Sequence, residues 1–239
     1  MALIALASVA AVGLAYVVGR ETPLFALEEV EIVGASDDVR RDVRATLEHL
    51  DGTSLVKLDA SEIERDLRAL PSVLDASVDR SFPHVLRVAV IPEQPLAVVT
   101  DGLEAWIVSR RGRVIGDVDQ GSGPLPPRIR SSAAAGLSPG QQVVDAGARV
   151  LLTVLGGVPA DFPIRIRRAR GDADEVTLML GAKTELRLGS ADDLGLKLAA
   201  AGAVLRTMSR TERLELAYLD VSLSQRPVAL DKSQVSVDG

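Results

Sequence analysis

Residues able to do chemistry are sparse in this chain. It has 239 residues, two histidines (His49 and His84) and no cysteine. Neither histidine has a second donor at a recognised ligand spacing, and a metal site needs several convergent ligands, so each reads as a surface or half-buried side chain. The lack of cysteine removes disulfides, thiolate zinc sites and thiol nucleophiles together. Gly-x-Ser-x-Gly, the phosphate-cradling Gly-x-x-x-x-Gly-Lys and His-Glu-x-x-His do not occur, and no Ser-x-x-Lys opens a predicted helix. The carboxylate pairs Asp37–Asp38 and Asp192–Asp193 fall where helices are predicted to start, where negative charge suits the helix dipole. Using either pair as acid and base would need a cleft. Ser109-Arg110-Arg111-Gly112-Arg113 gathers positive charge without interleaved aromatics and reads as a solvated hairpin turn. These residues predict no enzyme, cofactor or metal.

The elements around them begin with an apolar run. Ala2 to Val18 reads ALIALASVAAVGLAYVV, with no charge before Arg20. At about 1.5 Å per residue such a run covers most of a ~30 Å hydrocarbon layer. It has no polar face to mark it as a core helix. It also lacks the basic start and small-residue cleavage site of a signal peptide. We therefore expect a transmembrane helix over residues 1–19. The positive-inside rule has only Arg20 to count, and taken literally it mildly favours the opposite orientation. A net charge of -6 argues against nucleic acid and anionic lipid headgroups as main partners.

Beyond the anchor, Leu24 to Val33 is strand-like and ends at Gly34. Val39, Val43, Leu47 and Leu50 then form one helical stripe, with Ser36 as N-cap. Ile63, Leu67 and Leu70 form a second, opened by an Asp59/Glu62 capping box and stopped by Pro71. Two strands follow, over Leu74–Val78 and Val85–Ile91, giving a β-α-α-β-β sheet with both helices on one face. Leu96–Thr100 and Ala105–Val108 predict a hairpin through Asp101-Gly102, and Val114-Ile115 follow the arginine turn. Residues 116–142 are rich in breakers and read as a long loop. Gln142 to Leu155 resumes helical spacing. Ile164/Ile166, Val176/Leu178/Leu180 and Leu186/Leu188 predict three alternating strands. Gly189-Ser190 is expected to cap a helix with the stripe Leu194, Leu198, Ala201, Leu205 and Met208. Two strand-like pieces occupy Leu214–Leu230, and residues 231–239 read as a polar tail.

Several phrases along this order resemble the FtsQ/DivIB cell-division family. The first half carries Val30-x-Ile32-x-Gly34, Leu70-Pro71-x-Val73, an Arg80-x-x-Pro83 corner and a strand running into Glu93-x-Pro95, which resemble the family's POTRA domain. In the second half, Val108–Val114 resembles its Asp-x-x-Gly turn. Leu188-Gly189 with Lys197-Leu198 resembles its Leu-Gly…Lys-Leu signature, and Tyr218–Val221 its closing strand. Two departures stand out. The family's cytoplasmic tail before the anchor is missing, through loss or an upstream start, and Leu223 stands where some members carry an aromatic residue.

The resemblance implies an α+β protein: a transmembrane helix (1–19), a POTRA domain (25–93), a mixed β domain with flanking helices and a terminal edge strand (94–230), and the tail. It further implies a non-enzymatic divisome scaffold, single-pass in the inner membrane with its N-terminus inside, acting at the septum on peptidoglycan synthesis through FtsB-like and FtsL-like partners and septal wall synthases. An edge strand leaves backbone groups for another chain to pair with. The implied partner-binding residues are Leu219, Val221, Leu223, Ser224, Gln225 and Val228, with Pro227 limiting how far pairing runs. An exported wall-binding protein or hydrolase on a POTRA-like base, and a POTRA chaperone for outer-membrane insertion, are the alternatives. The second lacks a following run of amphipathic barrel strands.

Overall fold

The computed structural model describes residues 23–118, 125–181 and 183–235. The expected transmembrane helix lies outside the described residues, and among these no helix is long and apolar enough to cross a membrane. The chain divides into two compact units at Glu93/Gln94.

The first unit contains β1 (Glu29–Val33), α1 (Asp37–Leu47), α2 (Ala60–Ala69), β2 (Val73–Ser81) and β3 (Val85–Pro92). Its sheet runs β1-β3-β2, with β1 parallel and β2 antiparallel to β3. Strand parity sends Leu86, Val88 and Val90 to the covered face, where they meet Val39, Val43 and Leu47 of α1 and Ile63 and Leu67 of α2 in one buried cluster. The predicted stripes are thus the buried faces. Local details differ. Leu24 lies in a 3-10 turn (Pro23–Phe25) ahead of the strand, because residues 25–27 bond to the 52–55 loop. Ser36 caps α1 by position without a side-chain hydrogen bond. Asp59 accepts from the Ser61 amide, and no reciprocal bond from Glu62 closes a box. Arg68 joins α2 to β2, donating to Asp75 (2.7 Å), Glu64 (3.1 Å) and the Ala76 carbonyl (2.7 Å). The Arg68 guanidinium, helped by the Ala76 amide, holds the Asp75 carboxyl below the usual carboxylate range. Gly34 follows β1 with φ +84, and a Cβ there would stand 2.4 Å from the Val90 carbonyl oxygen, so only glycine lets the chain turn over β3.

The second unit is built on one nine-stranded sheet, ordered β12-β11-β10-β9-β8-β7-β4-β5-β6. Its strands are β4 (Pro95–Thr100), β5 (Ala105–Ser109), β6 (Val114–Asp117), β7 (Arg128–Arg130), β8 (Ile166–Gly171), β9 (Val176–Leu180), β10 (Thr184–Gly189), β11 (Leu216–Asp220) and β12 (Val228–Asp231). The expected loop over 116–142 is corrected here. It holds β7, which lies between β4 and β8 with Ile129 fully buried, and a 3-10 turn at Ser132–Gly136. Both neighbours of β7 run parallel to it, so the chain must cross over to reach β8, and α3 (Ala146–Gly156) lies in that crossover. Asp145 caps α3 by accepting from the Ala148 amide (2.7 Å), so the helix starts later than the predicted Gln142. The parallel step from β10 to β11 contains α4 (Leu194–Thr207) and a short α5 (Arg210–Glu215). Leu151, Leu152 and Leu155 of α3 and Leu198, Ala201 and Leu205 of α4 join the inward side chains of the strands in a single buried cluster.

The α4 start also differs from expectation. Asp193 is the N-cap, in left-handed backbone, so neither acidic residue of the pair lies inside the first turn. Ser190 instead serves as an acceptor. Lys197, only 5% exposed, donates from Nζ to the Ser190 carbonyl (2.8 Å) and Oγ (3.2 Å), which satisfies a charge that burial alone would penalise. The expected tail is partly ordered, since Asp231 ends β12 and Lys232–Val235 forms a helical turn.

Two substitutions test this account by urea unfolding. Ile129→Ala should lower stability by about 2–5 kcal/mol, as expected for a buried aliphatic with no room to collapse. Gly34→Ala should cost more than about 1 kcal/mol, from the positive φ and the contact with Val90.

Candidate functional site

The sheet ends at β12, a four-residue strand paired on one side with β11. Its other edge has no strand partner among the described residues, which leaves backbone donors and acceptors free to pair. The residues singled out around it divide into two groups. Leu219 and Val221 are fully buried in the core cluster, so they hold the edge in place and offer no surface. Leu223 is 68% exposed and Val228 52% exposed; Ser224 and Gln225 lie between them. Leu223, Ser224 and Gln225 belong to a turn closed by the Arg226 amide on the Leu223 carbonyl (2.9 Å), and only Val228 is on the edge strand itself. Pro227 immediately precedes β12, so it interrupts none of that strand's amides.

Gly189 of the Leu-Gly phrase positions this turn. Its φ is +62, and a Cβ there would come 2.9 Å from the Ser222 Cβ. The missing side chain lets the Val221–Ser222 segment pass beside β10, where the Val221 amide bonds to the Arg187 carbonyl (2.9 Å). Asp220 fixes the far side of the turn by accepting from the Ser222 amide (2.9 Å) and hydroxyl (2.7 Å). The approach to β11 is fixed by a capping box on α5. Ser209 Oγ accepts from the Glu212 amide while Glu212 accepts from the Ser209 amide. The bonds from Ser209, side chain and backbone, hold the Glu212 carboxyl below its usual range.

Two rows of side chains run to this edge across the sheet face opposite the buried cluster. One reads Arg168, Met179, Glu185, Tyr218, Leu230; the other reads Arg170, Thr177, Arg187, Asp220, Val228. Residues in register lie side by side on one face. Glu185 joins the rows, accepting from Arg170 (2.6 Å) and Arg187 (3.0 Å), and the Arg187 guanidinium lies 4.1 Å from the centre of the Tyr218 ring. Sequence reading missed this surface. Simple alternation from Ile164 and Ile166 predicts Arg168 inward, whereas an irregularity between Ile166 and Arg168 resets the parity, so Ala169 is buried and Arg168 and Arg170 face out. The adjacent arginines 167 and 168 are the only sign of it in the sequence.

Elsewhere the polar candidates are accounted for locally. His49 Nδ1 contacts the Thr46 carbonyl (2.9 Å) and His84 Nδ1 the Ala26 carbonyl (3.0 Å). Arg110 donates to the Gly156 carbonyl at the end of α3 (2.7 Å), so the arginine turn between β5 and β6 is tied to a helix C-terminus. Arg110, Arg111 and Arg149 line an open groove of 650 Å³. No group of three or more His, Cys, Asp or Glu side chains converges among the described residues.

A three-stranded β-α-α-β-β unit followed by one large mixed sheet with a short terminal edge defines a POTRA-bearing α+β protein. Residues 25–91 match the POTRA domain of the FtsQ type. Over most of its length the chain is also similar to curated proteins named cell division protein FtsQ. It is 26% identical to that of Mycobacteroides abscessus over 87% of this chain and 64% of the relative. For Streptomyces venezuelae the identity is 28%, over 86% and 74%. For Anaeromyxobacter sp. (strain K) it is 29%, over 92% and 75%. The chain thus spans just under two thirds of the Mycobacteroides protein's length. The resemblance to the FtsQ/DivIB family is borne out by the POTRA match and by these relatives.

Because Gly189 is pinned against Ser222, Gly189→Ala should destabilise the protein by about 1–2 kcal/mol. Amide exchange should rise at Val221 and along β12, and protection there equal to the parent protein would refute the positioning role.

Proposed function

We propose that this protein is a non-enzymatic scaffold of bacterial cell division that binds partner chains by strand addition at β12. It spans the inner membrane once through residues 1–19 in the type II orientation. Its two folded units lie outside that membrane at the septum, where they link division proteins that regulate septal peptidoglycan synthesis. The reading rests on one observation above the others: a short, singly paired edge strand, with Val228 on it and Leu223 beside it both exposed. Backbone pairing supplies affinity in strand addition, and flanking side chains supply specificity. The similarity to relatives named cell division protein FtsQ supports the process. The apolar run before Arg20 supports the anchor.

The partners on this reading are FtsB-like and FtsL-like segments, with the first adding a strand to β12 and Leu223, Ser224 and Gln225 contacting what flanks it. Septal wall synthases join through these chains. The face carrying Arg168, Arg170 and Arg187 extends the surface for a segment that brings carboxylates.

Pull-down of the reconstituted full chain with FtsB-like and FtsL-like segments tests the site. Leu223→Lys and Val228→Lys should each weaken capture at least about tenfold, the size of effect that truncating an anchor residue has at an interface. Circular dichroism should stay unchanged, since both side chains are exposed. Unaltered capture by both variants would remove the edge from the interface. Normal septation in cells depleted of the protein would overturn the division role itself.

A further inference from the structure

The chain has three phenylalanines, and two of them meet at one exposed corner of the first unit. Phe25 and Phe82 pack edge to face with ring centres 5.5 Å apart. Phe82 is 55% exposed and Leu24, beside them in the chain, 64% exposed. Among the described residues nothing covers Phe82 and Leu24 fully, and apolar surface of this kind is costly to leave in water. Hydrogen bonds fix its location. The Leu55 amide donates to the Phe25 carbonyl (2.7 Å), the Leu27 amide to the Thr53 carbonyl (2.9 Å), and the Glu28 amide to the His84 carbonyl (3.0 Å). The segment leading into β1 is therefore laced to the β2–β3 turn at the end of the sheet where Glu29 pairs with Val85.

The sequence says what lies next to that corner. Four residues, Gly19 to Thr22, separate the last apolar residue of the run, Val18, from Pro23. A chain of that length reaches at most about 18 Å even fully extended. If the run spans the bilayer, the corner is held within reach of the headgroups, and Arg80 lies close by. Arg80 contacts the Leu55 carbonyl at 3.5 Å, and the Leu55 amide is the one bonded to Phe25. Aromatic and aliphatic side chains beside a cation are the composition that settles at the headgroup–acyl boundary.

We propose that Leu24, Phe25 and Phe82 form a lipid-docking corner that seats the first unit on the bilayer surface. The occupant is the membrane in which the chain's own apolar run is embedded, so this inference rests on the anchor reading above. Docking adds a second attachment beside the tether and sets which end of the three-stranded sheet faces the lipid.

The test uses the full chain reconstituted in nanodiscs of phosphatidylethanolamine and phosphatidylglycerol, with a phospholipid carrying a nitroxide near the top of its acyl chain. Phe82→Trp places a fluorophore at the corner. Ile91→Trp places one at an exposed site about 20 Å along β3, at the far end of the same sheet. With the Trp106 signal of the parent protein subtracted, the Phe82→Trp emission should be quenched at least about twofold by the labelled lipid, and the Ile91→Trp emission left nearly unchanged. No quenching at position 82, or equal quenching at both positions, would overturn the docking. Carbonate extraction separates the two readings. A chain washed off the bilayer refutes the anchor and the docking together, whereas a retained chain without quenching refutes the docking alone.

Discussion

In the second unit, the covered side chains of the sheet, from Ala97 and Val99 in β4 to Leu219 in β11, all enter one buried cluster with α3 and α4. Side-chain parity along each strand is therefore fixed, because slipping any one of them by a residue would turn its aliphatic set outward. The same constraint determines the opposite face. Once Leu178, Leu186 and Leu219 point inward, Arg170, Arg187 and Asp220 must line up across the other side. The surface beside β12 follows from the packing of the core.

Parallel neighbours impose a second constraint. The steps from β7 to β8 and from β10 to β11 cannot be closed by tight turns, so each carries a helix, and those helices supply the cover that the sheet needs. Buried polar groups serve this arrangement. Lys197 fastens the start of α4 through Ser190, and Asp145 fastens the start of α3. The family-like phrases mark such points: Gly34 and Gly189 are places where the backbone passes another strand or turn too closely for a side chain.

Strong periodicity was legible in the sequence. The stripes of α1 and α2, the alternation of β9 and β10 and the arginine turn all follow from local spacing. What escaped was set by tertiary pairing. β7 is three residues long, with one buried side chain, Ile129, and its identity as a strand comes from β4 and β8 on either side. The irregularity at Ile166–Arg168 moves the inward position to Ala169, a residue with little hydropathic signal. Leu214 looks strand-like in the sequence but lies in α5, where the Ser209/Glu212 box outweighs a weak apolar pattern. At the edge, Leu219 and Val221 looked as available as Leu223, because alternation alone does not say which face another element covers.

The edge strand is also the last of the described strands in chain order. β12 pairs only with β11, and β11 reaches the sheet only after the chain has crossed through α4 and α5. A chain that lacked the residues from Val228 onward would keep every member of the buried cluster, which ends at Val221, and would lose the rim. The buried cluster and the rim are therefore separable: loss of β12 would leave the sheet ending on β11 with its core side chains still in place.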